Sequence, residues 1–412
     1  MRRHRGRWGR VGRWGTAVAV TAAVVAGGAP PAVAAPPGDR GRQIHAAVDD
    51  LHALGITGVQ GLARVDSVTT RARAGVGDLR RGTPVPLGGY FRMGSNTKTF
   101  VSVAVLQLVG EGRLSLDDTV DRWLPGVVTG NGNDGRTITV RQLLQHTSGL
   151  YNYTNDLAVV GSFAGYRAHR FDHYTAADVV ALAMKHEPEF APGTRWDYSN
   201  TNYVLAGMLI ERVTGRAWAT EVRARILQPL GLRHTLMPGD RPYLPVPHAR
   251  AYQQWEPGGE MTDTTLFNAT VADAAGSLIT TPGDLARFWQ ALQRGRLLHP
   301  REMAAMHRTV LAESRQDSEP GSRYGLGIAY IPTRCGGYWS HGGDVLGVST
   351  ANAVSADGAR VVVLSLTAQL ADEEAGLAVR RRTSQLMEDV MCGHDGTAAG
   401  PDTVRSGWRD VA

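Results

Sequence analysis

Strand-forming sequence lies at both ends of this 412-residue chain with helical sequence between. That order narrows the architectures open to it. Early on, residues 58–64 and 69–74 read as strands separated by polar turn residues. Late in the chain, residues 325–331, 345–354 and the strongly β-branched 360–366 do the same. From about residue 116 to 271 the spacing predicts helices at 140–145, 176–185, 202–213 and 217–226, joined by loops rich in Asn, Gly and Pro. Further helices are expected at 42–54, 98–111 and 371–391. The expectation is an α/β (α+β) fold whose antiparallel sheet is built from both chain ends, residues 35–95 and 272–392, with a mainly helical region, 96–271, inserted between them.

The first 34 residues read as an export signal. Six arginines precede an apolar run at 16–26, and Ala32-Val33-Ala34 resembles a cleavage site. The run is too short to span a bilayer, so a secreted, extracellular protein with no stable membrane anchor after cleavage is expected. Removing this segment takes the formal charge from +6 to zero, because it holds six arginines and no acid. The remaining charges are mixed, with no basic cluster interleaved with aromatics, which excludes nucleic acid as a partner. An even count of two cysteines, Cys335 and Cys392, suggests a disulfide in an exported chain, two unrelated buried thiols being the alternative. No metal site is indicated, because the histidines and cysteines lack ligand spacing, and no cofactor is required. Residues 393–412 read as a disordered or removable tail.

Only two lysines occur against 42 arginines, and one of them, Lys98, stands three places after Ser95. Arginine supplies a fixed positive charge as well as lysine does, but a guanidinium cannot be deprotonated in a protein, whereas a desolvated ammonium can. A helix starting at the serine puts residues i and i+3 on one face, within reach of each other. Ser95 is therefore a candidate nucleophile activated by a neutral amine.

Two later motifs accompany Ser95-Asn96-Thr97-Lys98: Tyr198-Ser199-Asn200, and Ser340-His341-Gly342-Gly343 after an aromatic strand. Their order is that of the active-site-serine hydrolases marked by S-x-x-K, Y-x-N and K-T-G or a histidine variant. The chain resembles the penicillin-binding protein and class C β-lactamase family, and within it the secreted D-alanyl-D-alanine carboxypeptidases. The likeness extends through residues 91–98, 106–112, 124–126, 141–151, 198–211, Ala275-Gly276 and 324–327 to the pair Cys335 and Cys392. It implies a β-lactamase/transpeptidase-like fold and a serine hydrolase.

By that resemblance Ser95 attacks a substrate carbonyl to form an acyl-enzyme, and Lys98 and Tyr198 share the proton transfer. Asn200 holds the substrate amide and orients Lys98, and the backbone N–H groups of Ser95 and Asp344 form the oxyanion hole, flanked by Gly342 and Gly343. His341 replaces the third-motif lysine and moves a proton toward Tyr198 or the leaving group. Each position also has a plainer reading. Ser95 would be a helix N-cap, Tyr198 with Asn200 a turn before a helix, and His341 with its glycines a tight strand-edge turn. His146 is read as loop structure, and Trp196 and Trp339 as either pocket lining or core packing.

The chain departs from the carboxypeptidases where they hold a substrate carboxylate. Two hydroxyl positions are Gly342 and Asp344, and an arginine position is Ala329. Lost cation and hydroxyls with an added carboxylate disfavour a negatively charged substrate terminus. The family default is a D-Ala-D-Ala peptide, from the cell wall. The alternatives are an esterase or amidase for neutral acyl groups, and a D-aminopeptidase whose substrate amine pairs with Asp344. The partner expected in every case is a small peptide, ester or β-lactam, and a non-catalytic ligand sensor is the reading from another class.

Overall fold

The computed structural model describes residues 38–65 and 67–393. The expected export signal and the tail beyond residue 393 lie outside the described residues.

Strand Arg360–Leu366 explains the layering. Val361 and Val363 point to one face, Val362, Leu364 and Leu366 to the other, and all five are buried. A strand apolar on both faces has to be covered on both. On one side lie α1 (Gly38–Ala53), with Ile44, Val48 and Leu51, and the closing helix, with Leu386, Met387 and Val390. On the other lie α2 (Thr97–Gly110) and α3 (Pro282–Gln293), the latter through Leu285, Phe288, Trp289 and Leu292. The closing helix, α4 (Glu373–Cys392), follows the last strands in the chain.

The sheet is antiparallel throughout. Its strands are β1 (Gly58–Val65), β2 (Val68–Asp78), β3 (Thr83–Pro84), β4 (Val310–Leu311), β5 (Arg323–Tyr324), β6 (Ala329–Thr333), β7 (Gly336–Ser340), β8 (Gly343–Val345), β9 (Val348–Val354) and β10 (Arg360–Leu366). They lie in the order β4-β5-β6-β7-β9-β10-β1-β2-β3, with β8 paired to β9. The seam between the chain ends is β1 against β10, in register from Val59 opposite Leu366 to Val65 opposite Arg360. One sheet from two termini is thus present, as the strand pattern requires.

Two expectations need correction. Residues 325–331 do not run as one strand, because 325–328 form a turn between β5 and β6, closed by Gly325 N–H to Ile328 O at 2.8 Å. Gly327 has φ +73°, and an added Cβ there would lie 2.1 Å from Ser102 Oγ, so apolar neighbours hide a position only glycine fits. Residues 345–354 are also broken: β8 ends at Val345 and β9 begins at Val348, with Gly347 at φ +72° in the turn.

α2 differs from a surface helix. Thr97 to Leu106 are all buried, and Phe100 stacks on Phe288 with ring centroids 3.6 Å apart. A helix buried around its circumference is a core helix, and its first turn is correspondingly fixed in space. Cys335, in the β6–β7 turn, is bonded to Cys392 at the end of α4, with the Cα atoms 5.6 Å apart. Among the described residues no helix is long and apolar enough to cross a membrane.

Candidate active site

Ser95 sits in a single 3₁₀ turn, Gly94–Asn96, leading directly into α2. Its neighbour across the fold is the start of β8. A Cβ on Gly94 would lie 2.9 Å from Asp344 N, and one on Gly343 would lie 2.0 Å from Met93 O and 3.0 Å from Ser95 N. Glycine at both positions lets two backbones meet, bringing the Ser95 turn close to the Gly343-Asp344 backbone. The Asn352 amide locks this arrangement, donating to Asn96 Oδ1 at 2.6 Å and to His341 O at 2.7 Å.

Lys98 is fully buried, and its Nζ has three neighbours: Ser95 Oγ at 3.0 Å, Asn200 Oδ1 at 2.7 Å and Ala275 O at 2.7 Å. The Ala275 carbonyl accepts only. The Asn200 orientation is fixed because its Nδ2 donates to Asn152 Oδ1 at 3.2 Å and to Thr154 Oγ1 at 3.3 Å, leaving Oδ1 for lysine. A neutral amine has two N–H donors and one lone pair. The two acceptors take the donors, and the lone pair is left facing the Ser95 hydroxyl. Burial, and secondarily the Arg315 charge, hold the Lys98 ammonium well below its ordinary pKa, which favours that neutral form.

Tyr198 lies over the same amine, its ring centroid 4.8 Å from Nζ. Desolvation of its hydroxyl pushes the phenol above its ordinary value, partly offset by a hydrogen bond with Ser95 and by Arg315. Beneath it is His146, fully buried at φ +60° where helix Val140–Gln145 ends. Its Nδ1 accepts from Asn202 Nδ2 at 3.1 Å and from the Ser199 N–H at 3.3 Å, and its ring packs 4.3 Å from that of Tyr198. His146 therefore braces the Tyr198-Ser199-Asn200 turn.

His341 is buried with both ring nitrogens engaged. Nδ1 donates to Gly342 O at 2.7 Å, and Nε2 accepts from Tyr324 OH at 2.8 Å. Its ring centroid is 6.4 Å from that of Tyr198, and burial pushes its pKa down to about 3. The residue is placed to hold the third motif, with neither nitrogen toward Ser95. Trp196 packs with Tyr324 and Ala329, and Trp339 stacks on His307, so both belong to core packing.

Beside the third motif opens a cavity of about 490 Å³. Arg315, Ala329, Ser340, Gly342, Asp344 and Ser349 are among its lining residues. The exposed Asp344 accepts from Ser349 Oγ through Oδ1 at 2.6 Å, leaving Oδ2 without a side-chain or backbone donor among the described residues. Arg315 projects from the loop before β5, its guanidinium carbon 5.8 Å from the Tyr198 ring centroid. The motifs made Ser95, Lys98, Tyr198 and Asn200 visible in the sequence. Ala275 was part of the family likeness without an assigned role, and Asn152, Arg315 and Asn352 were not visible, because each reaches the site through tertiary placement from an unmarked loop or strand.

The model of the Beta-lactamase family matches residues 18–386. The chain belongs to that family. Penicillin-binding protein 4* of Bacillus subtilis is 31% identical over 163 residues, 39% of this chain and 33% of that protein. The chain thus spans about a third of the length of the curated relatives it matches. Among solved structures, a D-stereospecific amidohydrolase from Streptomyces sp. superposes with TM-score 0.77 at 39% identity, covering 86% of this chain and 99% of that one. A D-amino acid amidase from Ochrobactrum anthropi SV3 gives 0.73 at 27%, covering 85% and 98%. The fold is accordingly β-lactamase/transpeptidase-like, and the family is one of serine hydrolases.

Proposed function

We propose that this serine hydrolase is an exported amidase or aminopeptidase for substrates with an N-terminal D-aminoacyl group, working through an acyl-enzyme on Ser95. The family default, a D-Ala-D-Ala carboxypeptidase acting on cell-wall peptide, is the reading it displaces. The observation that carries the choice is Asp344. A carboxylate next to the Ser95 and Asp344 N–H groups, with one oxygen free, suits an α-ammonium on the acyl side of the scissile bond. Likeness to a D-stereospecific amidohydrolase and a D-amino acid amidase over most of both chains supports the same substrate class.

The chemistry follows from the contacts. Lys98 takes the Ser95 proton as Oγ bonds to the substrate carbonyl carbon, and the new ammonium keeps Asn200 Oδ1 and Ala275 O as partners. The oxyanion is met by the Ser95 and Asp344 N–H groups. Tyr198, beside both Lys98 and Ser95, relays the proton to the leaving nitrogen as the C–N bond breaks and the amine departs. Water then cleaves the acyl ester, giving its proton to the same base, which returns it to Ser95 Oγ as the acid is released. His341 orients Gly342 and Tyr324 throughout.

The test compares D-phenylalaninamide with N-acetyl-D-phenylalaninamide in the wild type and in Asp344→Asn. The free-amine substrate should lead by at least tenfold in kcat/KM in the wild type, and the lead should collapse in the variant. Equal rates on the two substrates would return the choice to the neutral-acyl esterase or the carboxypeptidase. Ester turnover that is lost in Ser95→Ala would decide against the ligand sensor, whereas no ester turnover by the wild type would leave it.

A further inference from the structure

Position 329 carries alanine where the carboxypeptidases hold a cation, and read alone that loss removes a receptor for a substrate carboxylate. In the fold, Ala329 and Arg315 line the same cavity. Arg315 comes from a different segment, the turn Glu313–Arg315, and it reaches the site from above Tyr198. Its side chain is about one-third exposed, at 32%. Among the described residues its one charged partner is Glu319, at 3.3 Å on the same loop, a single contact that leaves most of the five guanidinium donors for something else. The charge acts on the site's interior too, since Lys98, Tyr198, His146 and His341 are all shifted down in part by it.

We infer that Arg315 is a specificity-determining residue, the receptor for a carboxylate on the leaving group, so that D-aminoacyl peptides ending in a free acid are substrates alongside simple amides. The inference rests on the Ser95 mechanism and extends the D-aminoacyl reading to the far side of the scissile bond. Its geometry is that of the proton relay. The leaving nitrogen takes its proton on the Tyr198 side of Ser95, and in an α-amino acid the carboxylate carbon lies about 2.5 Å beyond that nitrogen. A carboxylate there sits under the Arg315 guanidinium, which lies over the Tyr198 ring, where a forked contact is available. Asp344 and Arg315 then bracket the bond, the first for the ammonium of the acyl part and the second for the acid of the leaving part. The cation missing at 329 is resupplied from a loop.

The experiment measures kcat/KM for D-phenylalanyl-D-alanine and for D-phenylalanyl-D-alaninamide, which differ only at the terminal acid. The wild type should prefer the acid by at least tenfold, Arg315→Ala should bring the ratio near one, and Arg315→Lys should restore part of it. A wild-type ratio at or below one overturns the assignment. So does an Arg315→Ala variant that slows both peptides equally, which would leave Arg315 only its electrostatic effect on Lys98. Loss of the ratio in Arg380→Ala instead would move the receptor to α4, whose Arg380 lines the same cavity, and would also overturn it. A second readout does not depend on the D-aminoacyl reading: free D-alanine should inhibit p-nitrophenyl acetate turnover at least tenfold better than D-alaninamide, and Arg315→Ala should abolish the difference. If neither peptide is cleaved and this inhibition holds, the acyl-side reading fails and the Arg315 receptor stands. Equal inhibition by the two compounds overturns the receptor.

Discussion

At the scale of the residue, the site turns on the protonation of one amine. Lys98 has two fixed acceptors and a lone pair for Ser95, so replacing it with a group that cannot lose its proton should remove the base while keeping a positive charge. Lys98→Arg is expected to lower kcat/KM by a hundredfold or more, read by ester turnover. The pH profile follows with its sign. The amine is active when neutral, and its folded pKa is depressed, so activity persists well below the ordinary lysine range and is lost as pH falls through the folded value. His341, pushed down to about 3, stays neutral through this window, so His341→Asn should keep the midpoint of the acid limb even where it lowers the rate. Arg315→Ala removes a nearby positive charge that disfavours the ammonium, and it should move the limb to higher pH. Asn152→Ala frees the Asn200 amide to turn its donors toward Lys98, and about a tenfold loss in kcat/KM is expected. Ser95, Lys98, Tyr198 and Asn200 could be read from short motifs because their chemistry is written in neighbouring positions. Asn152 and Arg315 could not, since an asparagine or an arginine in a polar loop looks like any solvated group until the fold places it.

At the scale of the element, the sheet was legible where β-branched residues run together, as at β10, since burial on both faces leaves a continuous apolar run. It was obscured where a turn is made of apolar residues and glycine. Residues 325–328 carry Leu326 and Ile328 into the core while Gly327 folds the backbone against Ser102 and Tyr203. Gly327→Ala would force a Cβ into 2.1 Å contact at φ +73°, and a loss of about 1–3 kcal/mol is expected, seen as a lower urea midpoint at unchanged slope. The Cys335–Cys392 bond closes a loop across 57 positions and ties α4 to the β6–β7 turn. Reduction should cost about 2–4 kcal/mol by the same measurement, with α4 exchanging its amide hydrogens first.

At the scale of the whole molecule, the sheet brings the chain's two ends together, and the site lies where it meets the central helix. β8 delivers Asp344 to the turn holding Ser95, while α2 delivers Lys98 from within the core. The two groups proposed to select the substrate, Asp344 on β8 and Arg315 on the loop before β5, stand around that fixed centre. Family membership follows from the whole match, and the proposed substrate choice rests on these peripheral side chains. The central claim is that Ser95 carries the acyl group. It is tested most directly by mixing the full chain with D-phenylalanine methyl ester, quenching in acid within the first turnovers, and locating any adduct by intact mass and peptide mapping. One D-phenylalanyl group on the peptide containing Ser95, absent in Ser95→Ala, is the expected result. Turnover of the ester by Ser95→Ala at the wild-type rate, or an adduct at any other residue, would contradict it.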